Sequence, residues 1–321
     1  MNKTIEKSKS VLINLWNDYS VMFVCFIIIA VCSILAPGFL KWSNFVTILR
    51  NCSAIGIIAL GMTIVIISGG IDLSVGSNFA ICGVLMIVLQ NANVPLGVCI
   101  LFSCLFGLLI GFLNGTLIAC FHLPPFIVTL ATQTLLRSIV QYVTNGASIS
   151  GQRTPFLHMV GNGSVLGGIP VPFLIFLGLA VIMHIVLSST KFGVYTYAIG
   201  GNETAAKYTG IKVVKFKILT YMLCGLMAAI ASLVEISRMV SVSPTVSGVN
   251  YELEAVIAAV VGGTAFSGGK GKIPGTIIGA VILYIITNIL IHLNVSTFLS
   301  GAVKGTVILI AVLLQKRDKA A

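Results

Sequence analysis

Charge is scarce in this chain. Only 8% of its 321 residues are Asp, Glu, Lys or Arg, and eight of those are acidic, whereas a typical soluble domain carries about 25% charged residues. With 57% of residues hydrophobic, a water-soluble globular domain is excluded and a polytopic membrane protein is expected. Histidine is also sparse: His122, His158, His184 and His292 include no H-E-x-x-H, no pair at i, i+4 and no nearby carboxylate cluster, so metal or haem ligation is not expected. The eight cysteines form no C-x-x-C and read as small apolar packing residues. The run Ser267-Gly-Gly-Lys-Gly-Lys272 lacks the features of a phosphate loop. Thr264 and Phe266 stand where the leading glycine belongs, and neither Lys is followed by Ser or Thr. ATP hydrolysis is therefore not expected here. No convergent nucleophile, acid–base pair or cofactor site can be assembled, and the chain reads as no enzyme.

What is present is a succession of apolar runs, without the period-2 alternation of a β-barrel. A helix needs about 20 apolar residues to cross a hydrocarbon core of about 30 Å. Ten runs qualify, at 19–36, 48–68, 74–90, 95–120, 125–143, 171–189, 214–237, 251–265, 273–293 and 297–315. The expected fold is an all-α integral membrane protein of about ten transmembrane helices, with those near 48–90 and 251–275 broken or re-entrant. It comprises a lead-in at 1–18, a membrane body at 19–315 and a tail at 316–321. The lead-in has no cleavage site after a short apolar core, so it is not read as a removable signal peptide.

The net charge of +11 is explained by where the cations lie. With ten crossings and a cytoplasmic N-terminus, Lys3, Lys7, Lys9, Lys191, Lys207, Lys212, Lys215, Lys217, Lys270, Lys272, Lys316, Arg317 and Lys319 all fall inside, 13 of the 19 Lys and Arg. That is the positive-inside pattern, which places both termini in the cytoplasm and leaves no charge to argue for a nucleic-acid partner.

Internal echoes divide the body into two related five-helix halves. Gly107-Leu-Leu-Ile-Gly-Phe-Leu-Asn-Gly115 before Phe126 is answered by Gly275-Thr-Ile-Ile-Gly279, Asn288 and Phe298, at offsets of 174 for the Asn pair and 172 for the Phe pair. The sequence leaves open whether the repeat is parallel or inverted. Paired glycines inside apolar runs break helices, and membranes tolerate such breaks only where they line protein or a watery cavity. Gly69, Gly70, Asp72, Asn114, Gln133, Gly262, Gly263, Thr264 and Asn288 are thus candidates for a solute pathway, with Asp72 serving as a helix cap or as a lining residue. Glu235, Glu252 and Glu254 are expected near Arg238 on an outer rim. No acid reads as the mid-helix carboxylate of a proton-driven carrier.

One polar, Gly-punctuated segment, Ala198-Ile-Gly-Gly-Asn-Glu-Thr-Ala-Ala-Lys-Tyr-Thr-Gly-Ile211, interrupts the apolar runs on the lysine-rich side, and its exposure invites a cytosolic partner. This segment with Tyr197 before it, together with Gly61-Met-Thr-Ile-Val-Ile-Ile-Ser-Gly-Gly-Ile-Asp-Leu-Ser-Val-Gly-Ser77, Tyr251-Glu-Leu-Glu-Ala-Val-Ile-Ala-Ala-Val-Val-Gly-Gly-Thr264 and Ser267-Gly-Gly-Lys-Gly271, closely resembles the ribose-type permeases of bacterial monosaccharide ABC importers. The resemblance runs through essentially the whole chain. It implies a multi-pass inner-membrane subunit that works as a pair, here a homodimer in its simplest form. Its partners would be a tandem-domain ATPase subunit and an extracytoplasmic sugar-binding protein. It further implies that Gly200, Gly201, Asn202, Glu203, Ala205, Ala206 and Gly210, within a coupling segment at 193–213, form the cytosolic coupling helix and its turn. The solute is open among ribose and related sugars. The competing readings are a secondary sugar transporter and a passive channel.

Overall fold

The computed structural model describes residues 22–23, 25–165, 167–296, 299, 301–303 and 305–306. The expected lead-in, most of the run at 297–315 including Phe298, and the tail lie outside the described residues. About three quarters of the remainder is helical. An apolar helix α1, Cys25–Leu35, precedes α2 (Trp42–Ile67), α3 (Val75–Asn91), α4 (Leu96–Cys120) and α5 (Pro125–Val143). Then come α6 (Pro155–Asn162), α7 (Val171–Ser189), α8 (Lys191–Gly201), α9 (Glu203–Tyr208), α10 (Val213–Met239), α11 (Tyr251–Val261) and α12 (Ile273–His292). Among the described residues, four two-residue strands pair as β1 (Ile149–Ser150) with β4 (Ser241–Val242) and β2 (Ser164–Val165) with β3 (Ile169–Pro170), both antiparallel.

Six of these helices, α2, α4, α5, α7, α10 and α12, are long and apolar enough to cross a membrane. The expected count of ten is thus not reproduced among the described residues. Helix α3 has 17 residues and α11 only 11, because each begins or ends at a backbone break inside the bundle. Their shortness is tolerable because other helices surround them: nearly every residue from Val75 to Met86, and from Ala255 to Val260, is buried. The long helices α4, α5 and α7 instead turn Leu101, Phe102, Leu105, Ile127, Leu130, Ile182 and Ile185 outward, the apolar belt that lipid tails would cover.

Helix α2 is the central pillar, buried on every side from Cys52 to Ile67. It packs against α7, α10, α11 and α12, while α3 and α4 lie along α10. Glycine stripes seat these pairs. A Cβ at Gly107 would press on the Gly225 carbonyl and one at Gly115 on the Ile218 backbone, 2.6 and 2.7 Å away, while one at Gly111 would collide with the Tyr221 carbonyl. Likewise Gly275 faces Gly262 and Gly279 faces Ala258 with no room for a side chain. Small residues let backbones approach, which is how helices associate where lipid removes the hydrophobic drive. The third stripe, Gly301 with Gly305, meets nothing within 4 Å among the described residues.

The packing is reciprocal. Helices α2 and α10 pack against each other, α11 and α12 lie on α2, and α3 and α4 lie on α10. The C-terminus of α2 and the N-terminus of α10 share one end of the molecule, both meeting the α8–α9 segment, so these two helices run in opposite directions. That end carries Lys191, Lys207, Lys212, Lys215, Lys217, Lys270 and Lys272; the short strands mark the other.

Candidate functional site

The polar segment is two helices, where a single one was expected. Helix α8 ends at Gly201, the backbone extends at Asn202 (φ −161°, ψ 103°), and α9 follows. Sequence explains the break and both ends of α9. The Asn202 side chain accepts from the Ala205 N–H at 2.9 Å, satisfying one of the donors that a helix start leaves orphaned. Glu203 sits in the first turn and Lys207 in the last, each at the favourable end of the helix dipole. At the far end Gly210 adopts φ +83°. Its N–H reaches the Lys207 carbonyl, and the Ile211 N–H reaches that of Ala206, a pair of bonds that closes a helix only when a left-handed residue follows it. Ala206 faces inward, packed with Ile199, Val213 and Ile211. Gly201, Asn202, Glu203, Ala205 and Gly210 are exposed, and so is Tyr208, at 86%. Glu203 also forms a 2.6 Å ion pair with Lys217 at the base of α10.

Gly200 roots this segment in the bundle. A Cβ there would collide with the carbonyl oxygen of Ile67, the last residue of α2, and lie 2.7 Å from the Gly269 nitrogen. That Ile67 carbonyl accepts the Gly269 N–H at 2.9 Å. Gly268 in turn abuts Gly69 and the Gly200 carbonyl, and the Tyr197 hydroxyl donates to the Gly271 carbonyl at 2.7 Å. Burial pushes the Tyr197 phenol up, so it remains a donor at neutral pH. Three backbones therefore meet at one point: the end of α2, the end of α8 and the 262–272 loop between α11 and α12. Gly69, Gly268 and Gly269 all have positive φ, the conformation in which glycine is least strained.

Deeper in the bundle lies a buried polar chain. Asp72 accepts the Ser74 N–H at 2.9 Å and its hydroxyl at 2.6 Å. Asn114 donates to the Ser74 hydroxyl at 2.9 Å and accepts from Thr132 at 2.7 Å. Helix α3 begins at this node, midway along its neighbours, since Asn78 reaches the carbonyl of Gly225 in the middle of α10. Helix α11 begins beside it: Gly248 abuts Gly76, and Tyr251 packs edge-on against Phe79 with ring centroids 5.1 Å apart. A second polar group joins α5 to this region. Gln133 donates to Glu252 at 3.0 Å, and Arg137 donates to the carbonyls of Pro244 and Ser247 at 3.1 and 2.8 Å.

These positions correct the expected outer rim. Glu252 is 6% exposed and Asp72 1%, so two carboxylates are enclosed by helices. Glu235 accepts the Tyr251 hydroxyl, and Arg238 bonds to Asn51. The pathway candidates scatter. Asp72 and Asn114 join one chain, and Gln133 lies one residue from it. Gly70 sits under the Tyr221 hydroxyl, Gly262 lies against Gly275, Gly263 turns the chain with φ +89°, and Thr264 is fully buried. Asn288 is not part of this group. It exchanges side-chain hydrogen bonds with Asn44, in the first turn of α2. That turn lies about 35 Å from Gly69 at 1.5 Å per helical residue.

Sequence reading gave no site role to Tyr197, Gly268, Gly269 or Arg137, and it placed Glu252 on an outer rim. Only the density of glycine at 268–271 hinted at a close backbone approach. The pairing of Gln133 with Glu252, 119 positions apart, has no local signal. Among the described residues no group of His, Cys, Asp or Glu could hold a metal ion.

Residues 44–312 match the family model described as branched-chain amino acid transport system / permease component. The chain is 44% identical over 296 residues to the ribose import permease protein of Bacillus subtilis (strain 168), covering 92% of this chain and 91% of that one. It is 41% identical over 290 residues to the ribose import permease protein of Haemophilus influenzae, with 89% of each covered. To the L-arabinose transport system permease protein of Escherichia coli (strain K12) it is 33% identical over 302 residues, covering 94% and 91%. No solved structure matches.

Proposed function

The chain belongs to the family of branched-chain amino acid transport system permease components, and we propose that within it this protein is the transmembrane permease subunit of an ABC importer for a monosaccharide, with ribose the first solute to test. It is a multi-pass inner-membrane protein whose work is transport. ATP is hydrolysed by a separate subunit, and an extracytoplasmic binding protein delivers the sugar. The sugar is favoured over the amino acids in the family description by the full-length similarity to ribose and arabinose permeases.

The finer reading has ten crossings with both termini cytoplasmic, two five-helix halves of inverted topology, and a second copy of the chain completing the translocation unit. The opposed directions of α2 and α10 and their reciprocal packing support the inversion. The seven lysines at one end support the orientation. In this reading Gly69, Gly70, Asp72, Asn114, Gln133, Gly262, Gly263 and Thr264 border the route the sugar takes. Asn288, paired to Asn44, serves the helix ends.

The observation that carries the coupling role is the junction of Gly200 with Ile67 and Gly269. An exposed, doubly capped helix whose root touches both helix breaks is a lever: a push on α9 reaches α2 and the 262–272 loop through backbone contact, with no flexible side chain between. The test is reconstitution. Proteoliposomes holding this chain with its ATPase subunit and sugar-loaded binding protein should take up ribose only with internal ATP. Uptake by the chain alone would instead establish a carrier or channel.

A further inference from the structure

A groove of about 690 Å³ opens beside the coupling segment, between the ends of α4 and α10. Its walls differ in character. Phe112 and Ala119 of α4 with Ile218 and Leu219 of α10 form an apolar side, continuous with the outward-facing belt that includes Phe112 at 43% exposure. Lys207, Lys212 and Lys215 line it too, with His122 just past the end of α4. Glu203 also lines the groove, but its carboxylate is held by Lys217. The three lysines have no ion pair among the described residues. The first turn of α10 opens here too, at Val213 and Val214; no side chain caps it, and although the Val213 N–H is taken by the Ile211 carbonyl, the positive end of a 27-residue helix lies at the same space.

We propose that this groove binds an anionic phospholipid of the adjoining leaflet. The phosphodiester lies against the α10 N-terminus and the three lysines, and an acyl chain lies along Phe112, Ile218 and Leu219. A cation-rich pocket at the membrane surface with an apolar wall reaching into the bilayer fits a lipid better than a soluble anion, which would leave that wall in water. The site also distinguishes two faces of α9. Glu203 and Lys207, one turn apart, line the groove, whereas Thr204 and Tyr208 are rotated from them by about 100° and stay open to a protein partner. A bound headgroup would brace α9 from below. Only this effect on coupling rests on the importer reading; the binding itself does not.

The test uses the permease–ATPase complex, purified in mild detergent and examined by native mass spectrometry for retained phosphatidylglycerol. Wild type and the control Lys191→Gln should retain it. The triple variant Lys207→Gln, Lys212→Gln, Lys215→Gln should lose it by roughly fivefold per lysine, on the order of a hundredfold in all. Val214→Trp, which fills the groove and keeps every charge, should lose it as well. In nanodiscs of phosphatidylcholine alone the wild-type complex should show weakened sugar-stimulated ATPase activity, restored by phosphatidylglycerol. Equal retention by the triple variant overturns the proposal, as does protection of the lysines from amine labelling by inorganic phosphate without lipid. Loss of the ATPase subunit from the triple variant with lipid still bound would assign the lysines to a protein interface and overturn it too. If lipid is retained as expected but no ATP-driven uptake is ever seen, the importer reading fails and this one stands.

Discussion

Replacing Gly200 with Ala adds one methyl group where three backbones meet. The new Cβ would overlap the Ile67 carbonyl oxygen and approach the Ile67 carbonyl carbon at 2.8 Å and the Gly269 nitrogen at 2.7 Å. Neither neighbour is a flexible side chain, so the backbone itself must move. The displaced oxygen is the acceptor of the Gly269 N–H, so the movement weakens the bond tying α2 to the 262–272 loop. Overpacking of this kind costs about 1–3 kcal/mol. If the strain falls on one conformation of the transport cycle more than the other, it shifts their ratio by about 5- to 150-fold, at tenfold per 1.4 kcal/mol. We predict that Gly200→Ala inserts and binds the ATPase subunit normally, yet its ATP-driven uptake falls at least fivefold while basal ATP hydrolysis persists. Gly201→Ala is the matched control, because a Cβ there meets nothing within 4 Å. Uptake by Gly200→Ala within twofold of wild type, or an equal loss in Gly201→Ala, would refute the lever.

Tyr208→Ala should weaken assembly with the ATPase subunit, since a fully presented aromatic is the side chain that interfaces most depend on; a loss of about 2 kcal/mol would appear as a roughly 30-fold drop in copurification affinity, and unchanged affinity would place the docking face elsewhere. Gly111→Leu should fail to accumulate in the membrane, because α4 cannot back away from the Tyr221 carbonyl without losing the whole α4–α10 seam; normal expression would show that the seam is not needed for folding. Glu252→Gln should leave the solute gradient independent of the proton gradient, as in wild type. A proton-linked uptake that this change abolishes would favour a secondary carrier.

Much of the fold is legible in the sequence because the apolar runs have sharp ends. Pro125 opens α5 and Val171-Pro172 opens α7 at the residues expected, since proline suits a first helical turn and resists any position further in. The Gly69-Gly70 and Gly262-Gly263 pairs mark where α2 and α11 stop. The division of the polar segment into α8 and α9 is hidden because Gly200-Gly201 reads equally as a helix end or as a bracket, and only the Asn202 cap decides. Harder to foresee is the depth of α3 and α11. Hydropathy reports that a segment is apolar, not where along the bundle it begins, and the start of α3 is fixed by Asn78 and Ser74 bonding to α10 and α4, contacts 147 and 40 residues away.

The buried acids show why depth matters to function. On sequence, the lack of a mid-membrane carboxylate argues against a proton-driven carrier, and the enclosure of Asp72 and Glu252 removes that argument. What replaces it is local compensation. Asp72 is committed to Ser74, whose hydroxyl continues to Asn114 and Thr132. One oxygen of Glu252 accepts from Gln133, while the other is buried without a hydrogen-bond partner and is compensated only by the positive end of the α11 dipole, in whose first turn it lies, and by the Arg137 guanidinium one turn further along α5. A proton relay needs a carboxylate whose partners change as it loads and unloads; here each acid is tied to the start of a short helix. Their chemistry is that of fixing where α3 and α11 begin. In the proposed importer the energy for transport enters from outside the bundle, and the exposed segment rooted at Gly200 is the proposed point of entry.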